Sequence, residues 1–414
     1  MTKRLGFLYA LILVAVLATP AFVWLFMGPP TLALYGYVDK IPDRHADPVK
    51  GFFNKSWQEW AGRYVDVHFG LRAVLIKSFN ELTFRTFREL PRLRVYSTPE
   101  QGLYSGLSLE YINKEILNKA ALEKEYAARA AKLRAVQDML AAQGKQFIVV
   151  IAASKPYAYP ESLGPRYLAG GSADVFARTA SFGAALRQAG VSVIDTAPIL
   201  RAFRDQRNVP THPPSGLHWN YYAGCVIAEQ LMGQVRARFP ATQPFSCGQP
   251  HYAPPHDVDI DGLSLMNIWT DGGVSPDAPY PTVTPANAAA WRPSFVFISD
   301  SFTDQILSSL WQAHAYARFV NSGYFRARAL DDSGNGLQQT HPLDLKFGAT
   351  QVQVLEDIRR SEVVVLQTVD YNIGNYGYDF PEYMLDHYAT APAIAQSALA
   401  GQYNGRPSPN CCQR

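Results

Sequence analysis

The sequence predicts an α/β fold in layers around a mostly parallel sheet. Buried apolar strands alternate with helices along the chain, as in a parallel sheet covered by helices on its faces. The helical pattern of 107–143 closes at Gly144 and leads into the apolar run KQFIVVIAAS (145–154). The pattern continues with a helix at 172–189, strands at 191–195, 294–299, 317–321 and 362–369, and a helix at 221–238.

Polar side chains follow the predicted strands at the points where these end. In open parallel sheets, ligands bind beyond the carboxyl ends of the strands. The sequence therefore predicts a functional site at this edge of the sheet. The polar residues found there are Ser154, Lys155, Asp195, Asp300, Ser301, Asn321, Asp370, Tyr371 and Asn372.

Composition indicates a globular chain and argues against a nucleic-acid partner. The 414 residues are 48% hydrophobic and 18% charged, which fits a folded protein. Net charge is +3, and leaving out Lys3 and Arg4 reduces the 38 basic residues to 36 against 35 acidic ones. A chain so nearly neutral lacks the basic surface that binds phosphate backbones.

The N-terminus predicts a membrane anchor. Lys3 and Arg4 precede Leu5–Met27, which is 23 residues long, carries no charge and could span a bilayer as a helix. Basic residues before the span place the N-terminus inside, so we expect a single pass through the inner membrane and a periplasmic main domain. The alternative is a cleaved signal peptide, but ATPA at 18–21 is a poor cleavage site.

Four segments follow from these patterns. Amphipathic helices are expected within 53–88, after a proline-rich linker, and they would pack against the main domain. The predicted division is 1–27 for the cytoplasmic stub and anchor, 28–106 for linker and helices, 107–390 for the α/β domain and 391–414 for a tail.

The cysteines suggest one disulfide and no metal site. Outside the cytoplasm, Cys225 and Cys247 could pair and stabilise the fold by about 3 kcal/mol. Cys411 and Cys412 lie in the polar tail and receive no assignment. No metal-ligand spacing links the Cys and His residues, so we expect neither a metal nor a cofactor.

Two residues are candidates for covalent catalysis. Ser301 follows the strand SFVFIS, where the N–H groups of the next helix could stabilise an oxyanion. His218 precedes a helix beside Trp219, which suits a general base. Taken singly, Ser301 could merely cap its helix and His218 could be a core residue. Together on one sheet they form the two halves of a nucleophile–base pair.

These residues resemble the alginate O-acetyltransferase family, periplasmic proteins with an SGNH-hydrolase-like three-layer domain. The resemblance covers about 50–385, and the His motif precedes the Ser motif, as in that family's permuted arrangement. It implies that Ser301 is the acyl-accepting nucleophile and His218 the base. The matching motifs are HFGLR (68–72), EQGLYSG (100–106), SKPYAYPESL (154–163), HWNYYAG (218–224), SDSF (299–302) and VVVLQTVDYN (363–372).

The sequence departs from the family pattern at two positions. The family usually has Asp two residues before the His, in D-x-H-W, where this chain has Gly216; Ser299 replaces the glycine of G-D-S. Three interpretations remain open: a Ser–His dyad, a carboxylate from elsewhere, or an inactive site. Candidate carboxylates are Asp257, Asp259 and Asp261 in HDVDIDG, and Asp300 beside the nucleophile.

Further site residues are weaker candidates. Asn321 and Asn372 could donate to an oxyanion or cap a turn, and Tyr371 could contact the site or a sugar, as could Trp219. Lys155 could pair with a carboxylate, and Arg72 is expected to form a structural ion pair.

The expected function is transfer of an acetyl group to an exported polysaccharide through an acyl-serine intermediate. The resemblance implies a multi-spanning membrane acyltransferase as the acetyl donor. Two alternatives remain: a carbohydrate esterase with the same residues, and a catalytically inactive scaffold or polysaccharide-binding component of an exopolysaccharide complex.

Overall fold

A computed structural model gives the fold of the chain. It describes residues 2–27, 32, 34–36, 41–44, 46–90, 94–99, 101–169, 181–287, 290–332, 338–339 and 347–389. The predicted tail with Cys411 and Cys412, most of the linker before 46 and the first part of the helix predicted at 172–189 lie outside these residues.

The helices and strands below are numbered in chain order. The helices are α1 (Thr2–Met27), α2 (Pro48–Phe53), α3 (Ser56–His68), α4 (Arg72–Phe87), α5 (Gly106–Ala141), α6 (Lys155–Ala158), α7 (Phe182–Gln188), α8 (Thr196–Arg207), α9 (Tyr221–Arg238), α10 (Asp261–Met266), α11 (Asp304–Gln312), α12 (Phe347–Arg359) and α13 (Phe380–His387). The strands are β1 (Glu89–Leu90), β2 (Val95–Thr98), β3 (Gly102–Ser105), β4 (Gln146–Ala152), β5 (Val193–Asp195), β6 (His251–Ala253), β7 (Ala278–Tyr280), β8 (Ser294–Ser299), β9 (Arg318–Gly323), β10 (Ala327–Asp331), β11 (Gln338–Gln339) and β12 (Val363–Val369).

The chain divides into two compact units. The first comprises Met1–Val95 and Leu263–Gly273, and the second comprises Tyr96–Gly262 and Val274–Arg414. In the first unit, the Asn80 side chain on α4 donates to the Met266 carbonyl at 2.7 Å, which ties the later segment to the helices. The predicted boundaries at 27, 106 and 390 stay predictions.

Helix α1 coincides with the sequence for which we predict a membrane anchor. A search of the described residues identified no helix that is both long and apolar enough to cross a bilayer. The anchor stays a prediction.

The second unit is built on a seven-stranded sheet in the order β11-β10-β9-β8-β12-β4-β5. The five strands from β9 to β5 run parallel, and β10 and β11 add an antiparallel edge. Strand β12 is last in sequence but lies between β8 and β4, so the carboxyl ends of these three strands meet at one place. The predicted mostly parallel sheet is therefore present, and its antiparallel edge is an addition to the prediction.

Helices cover both faces of this sheet and make three layers. Successive residues of a strand point to opposite faces. In β4, Phe147, Val149 and Ile151 join one buried cluster with residues of α5, α7, α12 and α13, and Ile148 and Val150 join another with residues of α9 and α11. Strands buried on both faces explain the continuous apolar runs from which they were predicted.

The disulfide considered from the sequence is present in the second unit. Cys225 on α9 is bonded to Cys247, with their Cα atoms 6.0 Å apart. This closes a loop of 22 residues that connects α9 with the segment leading to β6. The bond attaches α9, the helix that follows His218, to this segment.

Glu115 on α5 anchors the segment after β4. Its carboxyl group is buried, accepts a hydrogen bond from the Tyr126 hydroxyl at 2.7 Å and another from the Tyr157 hydroxyl of α6. Burial raises the pKa of Glu115 to about 7, although the tyrosine hydrogen bonds act in the opposite direction. The folded protein therefore favours the protonated form of Glu115 more strongly than the unfolded chain does.

This shift predicts a pH-dependent contribution to stability. The folded pKa of about 7 lies above the ordinary value of 4.5, so Glu115 should weaken the fold as pH rises from 4.5 to about 7. Glu115→Gln should remove that part of the decline, on the order of 3 kcal/mol. Urea unfolding at pH 5 and pH 7.5 measures the effect. Glu123→Gln, on the exposed surface of the same helix, is the control. Parallel pH curves for Glu115→Gln and the unmodified chain would refute the assignment.

Candidate active site

Ser301 lies at the carboxyl end of β8, where the strand turns into a short 3₁₀ segment, Ser301–Thr303, before α11. The turn is capped by Asp300, whose Oδ1 accepts from the Phe302 backbone N–H at 3.0 Å. The hydroxyl is thus held at the edge of the sheet on a short, capped turn. This is the placement predicted for a nucleophile.

Asp300 fixes this turn to the neighbouring strand β12. Its Oδ1 accepts from Gln367 Nε2 at 2.8 Å and its Oδ2 from the Val369 N–H at 2.7 Å. Gln367 Oε1 accepts in return from the Asp300 N–H at 3.0 Å. Burial raises the pKa of the Asp300 carboxyl, and these hydrogen bonds oppose the rise. The side chain is directed at the sheet, so it positions the serine.

His218 connects Ser301 to a carboxylate. Its Nε2 lies 2.7 Å from Ser301 Oγ, and its Nδ1 lies 2.6 Å from Asp261 Oδ2. Because a carboxylate accepts, Nδ1 carries the proton in the neutral ring and Nε2 is free to accept from the serine. The three side chains have the connectivity of a Ser–His–Asp triad.

The surroundings of His218 favour its protonated form. Burial alone would lower the pKa of the imidazole, but the hydrogen bond and negative charge of Asp261 outweigh burial and raise it above its ordinary value. The Phe302 ring, with its centroid 4.4 Å from that of the imidazole, covers the histidine. A base with a raised pKa can take the serine proton and hold it while the adjacent oxygen reacts.

Asp261 begins α10 and is itself firmly held. Its Oδ1 accepts from the backbone N–H groups of Leu217 and Gly262, each at 2.7 Å, while Oδ2 faces His218. Both oxygens are therefore engaged with the histidine segment or with the start of the helix. The carboxylate comes from 43 residues beyond the histidine in sequence.

The structure corrects the leading candidates for the third member of the site. Asp257 Oδ2 lies 3.0 Å from Nδ1 of His256, its neighbour in sequence. Asp259 is buried, and burial raises the pKa of its carboxyl to about 7, so it lacks the stable negative charge an orienting residue needs. Asp300 faces β12. Within this acidic cluster, Asp261 is the residue that contacts His218.

The backbone of the segment that carries Asp261 passes so close to position 216 that this residue must be a glycine. A Cβ atom at this position would lie 2.8 Å from the Val258 carbonyl oxygen and 2.9 Å from that of Asp259. The adjacent Ser215 hydroxyl donates to the same Asp259 oxygen at 2.6 Å, which fixes the close approach. The backbone of 258–259 therefore occupies the space that the missing Asp of D-x-H-W would need.

Lys155 holds the turn before His218 through hydrogen bonds to backbone oxygens. Its side chain is only 2% exposed, and its Nζ donates to the carbonyl oxygens of Leu103, Pro213 and Gly216, each at 2.7 Å. Burial lowers the pKa of the ammonium to about 7, and the negative charge of Asp261 opposes that shift. The pairing predicted with a carboxylate is thus a longer-range interaction, and the direct partners are backbone oxygens.

The remaining predicted residues surround the triad without entering it. Trp219 is fully buried and donates to Gln305 Oε1 at 3.1 Å, which makes it a core residue. Asn321 lies inside β9, which continues to Gly323, and its Oδ1 accepts from the Ser299 hydroxyl at 2.7 Å. Asn372 donates to the Tyr378 hydroxyl at 2.9 Å, and Tyr371 lies edge-on to Phe302 with ring centroids 6.5 Å apart.

Sequence reasoning missed two contributors, Phe302 and Gln367. Both lie in segments that resemble the family, SDSF and VVVLQTVDYN, but residue type does not mark either one as part of a site, because each acts through contacts across elements. Among the residues that the structure describes, no group of three or more His, Cys, Asp or Glu side chains is arranged to hold a metal ion. Arg72, for which we expect a structural ion pair, is the first residue of α4, and that ion pair stays a prediction.

Comparisons with known proteins identify a matching family and a curated relative. The family model described as "SGNH hydrolase-like domain, acetyltransferase AlgX" matches residues 111–250, or 140 of the 414 residues. A curated relative, the probable alginate O-acetylase AlgJ of Pseudomonas syringae pv. tomato, is 26% identical over 187 residues. This alignment spans 45% of the present chain and 44% of that relative, so the chain matches less than half of the relative's length.

Three solved structures are similar in part. The O-acetyltransferase domain of Pseudomonas putida AlgJ aligns over 72% of this chain and 98% of that domain, at 18% identity and a TM-score of 0.45. Pseudomonas aeruginosa AlgX aligns over 62% of this chain and 60% of its own, at 15% identity and a TM-score of 0.39. Bacillus cereus PatB1 aligns over 62% of this chain and 93% of its own, at 12% identity and a TM-score of 0.36.

The family match at 111–250 includes β4, Lys155, Gly216 and His218. The resemblance to the SGNH-hydrolase-like alginate O-acetyltransferases, predicted from short motifs, is therefore confirmed.

Proposed function

We propose that this protein is an extracytoplasmic O-acetyltransferase that modifies an exported polysaccharide through an acetyl-serine intermediate. The observation that carries the proposal is the contact of His218 with Ser301 Oγ at 2.7 Å on one side and with Asp261 Oδ2 at 2.6 Å on the other. The family resemblance supports acetyl as the acyl group, and the relative's name, alginate O-acetylase, supports a polysaccharide acceptor.

In the first half-reaction, Ser301 Oγ attacks the carbonyl carbon of an acetyl donor while His218 Nε2 takes the hydroxyl proton. Asp261 stabilises the imidazolium that forms. The tetrahedral intermediate then collapses, the bond to the donor's leaving group breaks, and His218 returns the proton to that group. The product is an ester on Ser301.

In the second half-reaction, a sugar hydroxyl attacks the acetyl-serine carbonyl. His218 takes the proton of the sugar hydroxyl and gives it to Ser301 Oγ as the ester bond breaks. The polysaccharide leaves with the acetyl group, and the serine regains its hydroxyl. With water in place of the sugar, the same residues would act as an esterase.

The proposed location follows from the N-terminal sequence. An anchor at Leu5–Met27 would hold the α/β domain on the periplasmic side of the inner membrane. Cytoplasmic acetyl-CoA could not reach Ser301 there, so a multi-spanning membrane acyltransferase would supply the acetyl group. The Asp261 contact argues against an inactive scaffold, since a binding component has no need of an oriented histidine.

Labelling of Ser301 tests the proposal directly. A fluorophosphonate should modify Ser301, and a chromogenic acetate ester should acetylate it with a burst of released chromophore. Adding an alginate oligosaccharide should then give an acetylated sugar detectable by mass spectrometry. Ser301→Ala should abolish labelling and burst, whereas Ser308→Ala, on α11, should retain both. Absence of labelling in the unmodified chain would refute an enzymatic role, and free acetate as the sole product would favour the esterase.

Asp261 should control the pH dependence of acylation. Neutral His218 is the active base, and Asp261 raises its pKa, so acylation should increase with pH through a midpoint above the ordinary histidine value. Asp261→Asn should lower the rate on the order of 10⁴-fold and move this midpoint to lower pH. Burst rates between pH 5 and 9 measure both effects. An unchanged midpoint would show that another group orients the histidine.

Restoring the family residue at position 216 should inactivate the site. Gly216→Asp would push its Cβ against the carbonyl oxygens of Val258 and Asp259, displacing the segment that carries Asp261. We expect at least a tenfold slower reaction of Ser301 with the fluorophosphonate. Gly233→Asp, on α9 with open space around its Cβ, is the matched control. Equal or faster labelling of Gly216→Asp would show that an adjacent carboxylate can replace Asp261.

A further inference from the structure

A cavity lies at the opposite edge of the sheet from Ser301. It has a volume of about 280 Å³, close to the lower end of the range for small-molecule sites. The lining side chains combine hydroxyls, aromatic rings and a cation. Those used in the argument are Thr242, Phe245, Ser246, Thr284, Trp291 and Arg292.

The cavity is distinct from the triad because it lies at the amino ends of the strands. Arg292 precedes the first residue of β8, and Ala313 and Ala315 precede β9. Ser301 follows the last residue of β8. At about 3.3 Å per residue, the six-residue strand places the two sites about 20 Å apart.

One buried hydroxyl in the cavity has no protein partner. Thr242 is 3% exposed, and its Oγ1 forms no hydrogen bond with any described atom. Buried polar atoms are nearly always paired. Thr242 lines the cavity, so rotation of its side chain toward that space would give the hydroxyl a partner on a bound molecule. Ser246 and Thr284 add further hydroxyls to the same lining.

An aromatic ring and a cation complete the lining. Trp291 is 39% exposed and packs with Phe239 at a centroid distance of 5.5 Å, which holds the indole in place. Arg292 is half-buried, and its hydrogen bond among the described residues is a long one, 3.4 Å from the His314 carbonyl. A guanidinium has five donors, so it retains capacity for a carboxylate. None of the described lining residues is acidic.

We infer that this cavity binds one acidic sugar residue of the polysaccharide. A sugar offers hydroxyls to Thr242 and apolar C–H groups to Trp291, and a uronic acid adds a carboxylate for Arg292. The inference rests on the proposed function for the identity of the polymer. A chain held here while another part of it reaches Ser301 would raise the local concentration of acceptor hydroxyls.

Binding without catalysis tests the inference. The full chain with Ser301→Ala is titrated with an alginate hexasaccharide by calorimetry, and with the same oligosaccharide after reduction of its carboxyl groups. Trp291→Ala and Arg292→Met should each weaken binding of the acidic form at least tenfold, as should carboxyl reduction. Thr242→Val, nearly isosteric, should weaken it while leaving the fold intact. Arg85→Met, an exposed arginine on α4, is the charge control.

The outcomes separate this site from the proposed reaction. Unchanged affinity in Trp291→Ala, Arg292→Met and Thr242→Val, or equal affinity for the reduced oligosaccharide, would overturn the inference even if Ser301 is acetylated. Affinity that depends on these residues would support the site even if Ser301 resists labelling, in which case the proposed enzymatic function fails alone. If Trp291→Ala or Arg292→Met loses its cooperative thermal transition, the affinity of Thr242→Val for the oligosaccharide decides the test instead.

Discussion

The buried ammonium of Lys155 is the contact on which the geometry of the site depends. A charge removed from water is costly unless all its hydrogen-bonding capacity is used, and three backbone oxygens at 2.7 Å use the three donors of Nζ. Two of those oxygens belong to Pro213 and Gly216, immediately before His218. The turn that carries the base is therefore held by hydrogen bonds that the fold cannot lose without leaving the buried Lys155 nitrogen unpaired.

The nucleophile is fixed by a separate and complementary device. Asp300 exchanges hydrogen bonds with Gln367 and accepts one from the Val369 N–H, both on β12. This is the middle one of the five parallel strands and is buried along its whole length, so the turn carrying Ser301 is attached to the interior of the sheet. Base and nucleophile thus lie on two segments, each held by the hydrogen bonds of its own buried ionisable side chain. Such support keeps reacting atoms in place without relying on their mutual contact.

The sequence predicted the elements that local periodicity determines. The parallel strands β4, β8 and β12 and the helix α9 appear where apolar runs and helical spacing indicated them. Ser301 was predicted from its position at a strand end, and His218 from its position before a helix. The third member of the site was harder to predict because it depends on how the segment after β6 closes over the histidine turn. Asp300 is adjacent to the nucleophile in sequence, but its side chain turns toward β12. Asp261 is distant in sequence, yet its helix start meets Leu217.

Gly216 and Asp261 together show which feature of the family's D-x-H-W motif this chain retains. A histidine base needs an acceptor opposite Nδ1, and that need constrains the position of the carboxylate in space rather than its place in the chain. Here the backbone of 258–259 fills the position where the family's aspartate would start, and the same segment delivers a carboxylate 2.6 Å from the imidazole. The glycine is thus the condition for the relocated acid, because a side chain at 216 would exclude the segment that supplies it. A motif that lacks its aspartate can therefore keep the complete hydrogen-bond chain from carboxylate to serine.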